Sequence, residues 1–158
     1  MGRRPYDIRA AVARQVLPGL LLAVLAGCGA NPAPEDALRE WVRDAAAAVE
    51  NEDRGALLEM IAAGYADARG NERADIDQAL RGYFLRSSSI GVVTSISDVA
   101  IMGDTAATVS LTAAITGTND RLFGLSAEGY GFELELEHDG GAWKLVSARW
   151  AELGSEPR

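Results

Sequence analysis

The spacing of apolar residues along this chain changes once, near Ser88. Before that point it is helical. Leu38, Trp41, Val42, Ala45, Ala48 and Val49 recur every three or four positions and share one helix face, while Arg39, Glu40, Arg43, Asp44 and Glu50 lie off it. The pattern starts at Glu35-Asp36, and early acids suit a helix N-terminus. Asn51-Glu52-Asp53 ends this helix, and Asp53 can cap a second over 54–63 with Leu57, Leu58 and Ile61 inward. After a loop at 64–71, a third helix is predicted over 72–87, with Ile76, Leu80, Tyr83 and Phe84 as its apolar stripe.

Beyond Ser88 the period is two. Residues 88–102 are rich in Ile, Val, Thr and Ser and predict a strand, turned back at Gly103-Asp104. Ala107, Val109, Leu111, Ala113 and Ile115 alternate with mostly polar neighbours, and 117–126 reads as a loop. Tyr130, Phe132, Leu134 and Leu136 alternate with Gly131, Glu133, Glu135 and Glu137, a strand with one buried face. His138-Asp139-Gly140-Gly141 reverses the chain into a last strand over 143–150, which would put Val146, Ala148 and Trp150 in the core with Phe132, Leu134 and Leu136. Helices and strands segregate along the chain. The expected fold class is therefore α+β, with three N-terminal helices packed on one face of a bent antiparallel sheet of about four strands.

Charge separates the first 27 residues from the rest. Arg3, Arg4, Arg9 and Arg14 face a single acid there, Asp7, although the whole chain carries −8. An apolar run, 16–27, follows, too short for a bilayer helix of about 20 residues but fitting the core of a secretory signal. It ends in Leu25-Ala26-Gly27-Cys28, which resembles the lipobox of bacterial lipoprotein signals at all four positions. The resemblance implies a diacylglycerol on the Cys28 sulfur, cleavage before Cys28 and acylation of the freed amine with a chain such as palmitate. Two or more chains anchor a protein stably. The expected organisation is a signal peptide at 1–27, a proline-bearing tether at 28–34, a domain at 35–152 and a tail at 153–158. The expected location is the bacterial cell envelope, periplasm-facing. Gly29 stands where an Asp would favour inner-membrane retention, which leans towards the outer membrane.

Ala56-Leu57-Leu58-Glu59-Met60-Ile61, Tyr65-Ala66-Asp67, Tyr83-Phe84 and the closing hairpin with Asp139-Gly140-Gly141-Ala142-Trp143-Lys144 and Trp150 resemble the nuclear transport factor 2-like superfamily. This is the cone fold shared with ketosteroid isomerase and scytalone dehydratase. The resemblance implies a sheet curled around a pocket. The superfamily's usual order inserts a strand pair before the third helix, and 64–71 leaves room only for a vestige of it.

The acidic balance argues against nucleic acid as a partner. One Cys and one His exclude a disulfide within the chain and a His-rich metal cage. Ser87-Ser88-Ser89 lacks a nucleophile elbow, His138 sits at a hairpin tip, and Glu133, Glu135 and Glu137 read as a solvated strand face paired with Arg149 or Lys144. Asp67 with Tyr65 is the remaining acid–base pair, and its polar, glycine-bounded surroundings place Asp67 near the surface beside Arg69. No catalytic residue, cofactor site or metal site is therefore expected. The expected activity is non-enzymatic binding of a small apolar ligand or an envelope protein, in a pocket lined by Tyr65, Tyr83, Phe84, Phe132 and Trp150. The alternatives are a lyase or isomerase of the ketosteroid-isomerase type and an envelope scaffold forming a homodimer through its sheet. Replacing Cys28 with Ser should abolish lipidation and processing. Mass spectrometry of the mature N-terminus checks this, and an unacylated residue there in the wild type would contradict the anchor.

Overall fold

The computed structural model describes residues 33–87, 89–119 and 124–154. The expected signal peptide at 1–27, Cys28 and most of the expected tether lie outside the described residues, as does the end of the tail. Helix α1 (Pro34–Glu50) begins on a proline, whose missing N–H is not needed in a first turn, followed by Glu35 and Asp36. Arg39 pairs with Glu35 one turn earlier at 2.7 Å. Leu38 and Val42 are buried, and the Trp41 indole N–H donates to the Trp143 carbonyl at 3.1 Å. Glu52 takes a positive φ of 54°, reversing the chain, and the Asp53 carboxylate accepts the Ala56 N–H to cap α2 (Arg54–Glu59).

Helix α2 is shorter than its apolar spacing predicts, because the chain after it hydrogen-bonds elsewhere. Leu145 N–H donates to the Met60 carbonyl, and the N–H groups of Ala62, Ala66 and Ala68 donate to the carbonyls of Leu145, Val146 and Ala148. Residues 60–68 thus lie along the sheet's last strand. Between α2 and α3 a single bridge joins Ala66 to Glu72, in the segment where the resemblance left room only for a vestige of a strand pair. Helix α3 (Arg73–Phe84) follows, its start fixed by the Asp75 carboxylate accepting the Glu72 N–H at 2.9 Å. No residue of α3 is fully buried. Polar ties hold it instead. Arg54 forms an ion pair with Asp77, and Arg73 donates to the Leu58 carbonyl at 2.8 Å.

Strands β1 (Ile90–Met102), β2 (Ala106–Asn119), β3 (Gly124–His138) and β4 (Trp143–Glu152) form one antiparallel sheet in the order β1-β2-β3-β4. The α+β architecture is as the period change predicts. One expectation fails at the β2–β3 connection. Much of 117–126 is not loop, since the ladder continues to Asn119 opposite Gly124, favoured by the β-branched Ile115 and Thr116 that lead into it. Ala107, Val109, Leu111 and Ala113 are buried from β2 and Leu134 and Leu136 from β3, against Leu38 and Val42 of α1.

A bulge corrects the reading of β4. Leu134 pairs with Ala148 and Glu135 with Ser147, but Leu136 pairs with Leu145, leaving Val146 as the extra residue. Trp143, Leu145 and Ala148 belong to the core or pack on it, while Val146 turns to an outer groove beside Leu58 and Ile61. Phe132 and Trp150 are half-buried rather than enclosed. In urea unfolding, Leu136→Ala should cost about 2–5 kcal/mol, the range for a buried leucine, and Val146→Ala well under half of that. Equal losses would contradict the bulged register.

Candidate functional site

Because α3 is tied by its polar residues and not sunk into the sheet, its apolar stripe faces open space. A cavity of about 230 Å³ lies between the helices and the inner face of the sheet. Trp41 and Val49 of α1, Leu57 of α2, Ile76 and Leu80 of α3, and Leu111 and Phe132 of the sheet line it. Among the described residues, Thr94 is the single polar residue in its wall, and no titratable side chain reaches it. Such a chamber rewards an apolar occupant by about 25 cal/mol per Å² removed from water.

Val49, Ile76, Leu80, Ile115 and Phe132 also line a wider space of about 560 Å³, so the two spaces adjoin across shared walls, and the wider one is termed the mouth. Polar chemistry is confined to this mouth. Tyr83 and Arg86 come from the C-terminal end of α3 and just beyond it, Glu128 and Tyr130 from β3, and Trp150 from β4. Residues 128 and 130 are two apart on one strand and so share a face. The Tyr130 hydroxyl donates to Glu128 Oε2 at 2.6 Å. That hydrogen bond first, then burial and the charges of Glu128 and Glu152, pushes the phenol up to about 12, so it keeps its proton at neutral pH. The mouth thus offers a hydrogen-bond donor, a carboxylate and a guanidinium at the edge of an apolar chamber. A mouth of this volume falls within the ~300–1,000 Å³ of small-molecule sites.

Of the aromatics expected to line a pocket, Tyr83, Phe132 and Trp150 meet at this mouth. Tyr65 does not. It is buried in the core cluster at 4% exposure, where burial first and the Asp67 charge second push its phenol up to about 12. Phe84 lines neither space and packs edge-on against Tyr83. Glu128 and Arg86 escaped the sequence reading. The signal for Glu128 was its spacing of two from Tyr130, passed over because the alternation was followed only from Tyr130 onward.

Asp67 is not at the surface as expected. It is 7% exposed, and its carboxylate accepts hydrogen bonds from Asn71 Nδ2 at 2.7 Å and from the N–H groups of Arg69 and Asn71 at 2.8 and 2.9 Å. Burial alone would raise its pKa. The hydrogen bonds from Asn71 and Arg69 outweigh burial and hold the carboxyl below the usual range. The Arg69 guanidinium is directed elsewhere, to Trp150. His138 Nδ1 accepts the Gly140 N–H, and its ring packs edge-on against Trp143. Glu133 pairs with Arg149 at 2.6 Å, whereas Lys144 donates to the Glu59 carbonyl. Among the described residues no cluster of acids, His or Cys suits a metal ion, and no helix is long and apolar enough to cross a membrane. Ser88 lies outside the described residues.

No family model and no curated protein matches the sequence. Solved structures do match its fold. A ketosteroid isomerase-like protein from Erwinia carotovora atroseptica is 12% identical with a TM-score of 0.62, covering 76% of this chain and 96% of that one. A hexachlorocyclohexane dehydrochlorinase is 11% identical with a TM-score of 0.64, covering 78% and 88%. A nuclear transport factor 2-like superfamily protein from Salmonella enterica serovar Typhimurium is 10% identical with a TM-score of 0.63, covering 77% and 96%. The chain therefore has the nuclear transport factor 2-like fold. The expectation that the domain is not an enzyme is corrected by these neighbours, since a dehydrochlorinase shares its fold. That expectation rested on the lack of a local motif. Here the mouth's polar groups come from the end of a helix and from a strand, far apart in sequence.

The Asp67 shift carries a pH dependence. A carboxyl depressed in the folded state adds stability above its unfolded pKa of about 3.9, and that stability is lost as pH falls through the lower folded value. Asp67→Asn should therefore be less stable than wild type near neutrality, and the gap should narrow on acidification. Urea unfolding at both pH values checks this, and a gap independent of pH would contradict it.

Proposed function

We propose that the domain is a lyase or isomerase that holds a small apolar substrate in the chamber and moves a proton at the mouth. The Tyr130–Glu128 pair carries this reading, because it sets a protonated phenol beside a carboxylate at the edge of a space otherwise lined by hydrocarbon. Neighbours of the same fold that are named as a dehydrochlorinase and as ketosteroid isomerase-like support it. The substrate's apolar body fills the space between Ile76, Leu80 and Phe132, and its activating oxygen reaches the mouth. The Tyr130 hydroxyl turns from Glu128 to that oxygen. A phenol, whose ordinary pKa is about 10, donates a hydrogen bond to developing negative charge and keeps its proton at neutral pH. Glu128, released from Tyr130, accepts the proton from the adjacent carbon. Return of that proton to a different carbon is isomerisation, and loss of a leaving group instead is elimination.

The same reading puts the enzyme on a membrane of the bacterial envelope through lipid on Cys28, facing the periplasm. The arginine-rich head, the short apolar run and Leu25–Cys28 support that placement.

Conversion of a β,γ-unsaturated cyclohexenone to its conjugated isomer, followed by ultraviolet absorbance, tests the chemistry. Glu128→Gln should lower kcat by about 10²–10⁴, the range for removing a general base. Tyr130→Phe should lower it by about 10²–10³, as for loss of an oxyanion donor. Both variants should keep the wild-type unfolding midpoint. Wild-type conversion no faster than buffer, or full activity in Glu128→Gln, would contradict the proposal.

A further inference from the structure

Asp67 is a buried carboxylate that the proposed chemistry does not use, and its geometry points to a task. Its carboxylate gathers the N–H groups of Arg69 and Asn71 and the Asn71 side chain, while Asp67 N–H donates to the Asn71 carbonyl and Gly70 N–H to the Asp67 carbonyl. Gly70 completes the turn at a φ of 82°, which other residues rarely adopt. The segment entering this turn is fixed to β4 by the N–H groups of Ala66 and Ala68. The backbone of Arg69 is therefore held on both sides. Its guanidinium lies 4.6 Å from the centre of the Trp150 ring, and Nη2 donates to the Trp150 carbonyl at 3.1 Å. Trp150 is half-buried and forms part of the mouth.

We propose that Arg69, set by the Asp67 turn, is a positioning residue that fixes the Trp150 indole as a flat wall of the mouth and so favours flat ligands over globular ones. The inference rests on the reading of the mouth as a ligand site. An indole at the end of the last strand, packed by the core on part of its surface only, has rotamers open to it. A planar guanidinium stacked on its face and bonded to its own carbonyl selects one of them. The turn explains why a charge is buried there. Three charge-assisted hydrogen bonds to Asp67 stiffen five residues that carry one exposed side chain to its target. Lysine would keep the charge but not the stacked plane.

Two readouts separate this inference from the reading it rests on. Fluorine NMR of the full chain labelled with fluorotryptophan gives signals for Trp41, Trp143 and Trp150, the last assigned with Trp150→Phe. In Arg69→Ala the Trp150 signal should shift and broaden or split, while those of Trp41 and Trp143 stay in place. Arg69→Lys should behave like Arg69→Ala. Titration with β-tetralone, a flat ketone, and camphor, a globular one, gives the second readout. Arg69→Ala should weaken β-tetralone by about three- to fivefold, since the ligand must then fix the indole itself at a cost of about the one exposed cation–π contact that held it. It should leave camphor within about twofold, since a globular ligand gains little from a flat wall held in one orientation. Arg69 is exposed, so its variants should fold, and an unchanged unfolding midpoint checks that. A single unshifted Trp150 signal in Arg69→Ala, or equal losses for both ketones, overturns the inference. A perturbed Trp150 signal in a chain whose wild type binds neither ketone upholds the positioning role and overturns the ligand-site reading.

Discussion

The structure depends on hydrogen bonds between residues 60–68 and the outer edge of β4. A bare edge strand offers unpaired N–H and C=O groups to any passing chain. Here the connection between α2 and α3 occupies part of that edge, with Met60, Ala62, Ala66 and Ala68 bonded to Leu145, Val146 and Ala148. The same bonds end α2 after six residues, because backbone groups paired to a strand cannot also continue a helix. They set where α3 begins and carry Arg69 to Trp150. One backbone interaction thereby decides the sheet's edge, the length of one helix, the position of the next and one wall of the mouth.

The open chamber is a consequence of how α3 is held. An amphipathic helix on a sheet usually buries its stripe and gains most of its stability that way. In α3 no residue is fully buried, and Arg54–Asp77, Arg73 to the Leu58 carbonyl and the Asp75 cap support it from its polar side. The sheet meanwhile packs tightly on α1 through Leu38 and Val42. The domain is therefore solid where Leu38 meets the sheet and hollow between the Trp41–Val49 face of α1, the stripe of α3 and the sheet. An apolar occupant of the hollow part would restore dispersion contacts that its lining now lacks. Polar groups at the mouth alone then orient the occupant.

Much of this was legible in the sequence, for physical reasons that also mark where reading fails. Period-two alternation over Ala107–Ala113 and over Phe132–Leu136 identified buried faces, because pleating leaves a strand no other way to bury one side. The stripe at Leu38, Trp41 and Val42 identified the face of α1 in the same way. Val146 was misplaced because a bulge shifts register without a local signature. The burial of Asp67 was hidden because its partners are mainly backbone N–H groups, which no residue type advertises. Glu128 was missed because the alternation of β3 was followed only from Tyr130 onward. The absence of an enzyme was argued from the absence of a contiguous motif, a weak argument for a site assembled from a helix end and a strand. Tyr83, Phe132 and Trp150, expected to line a pocket, do border one space, since aromatics near the ends of elements have little else to cover. Tyr65 and Phe84 show that the same residue type also serves the core and the outer flank of a helix.

The central claim is that the space under α3 receives a small apolar molecule whose polar atom meets Tyr130. Intermolecular nuclear Overhauser effects between β-tetralone and the protein test it most directly. The account predicts contacts from the ligand rings to Ile76, Leu80 and Phe132, with the carbonyl end nearest the Tyr130 ring. Contacts instead to Leu58 and Val146 in the outer groove, or no saturable contact at all, would contradict it.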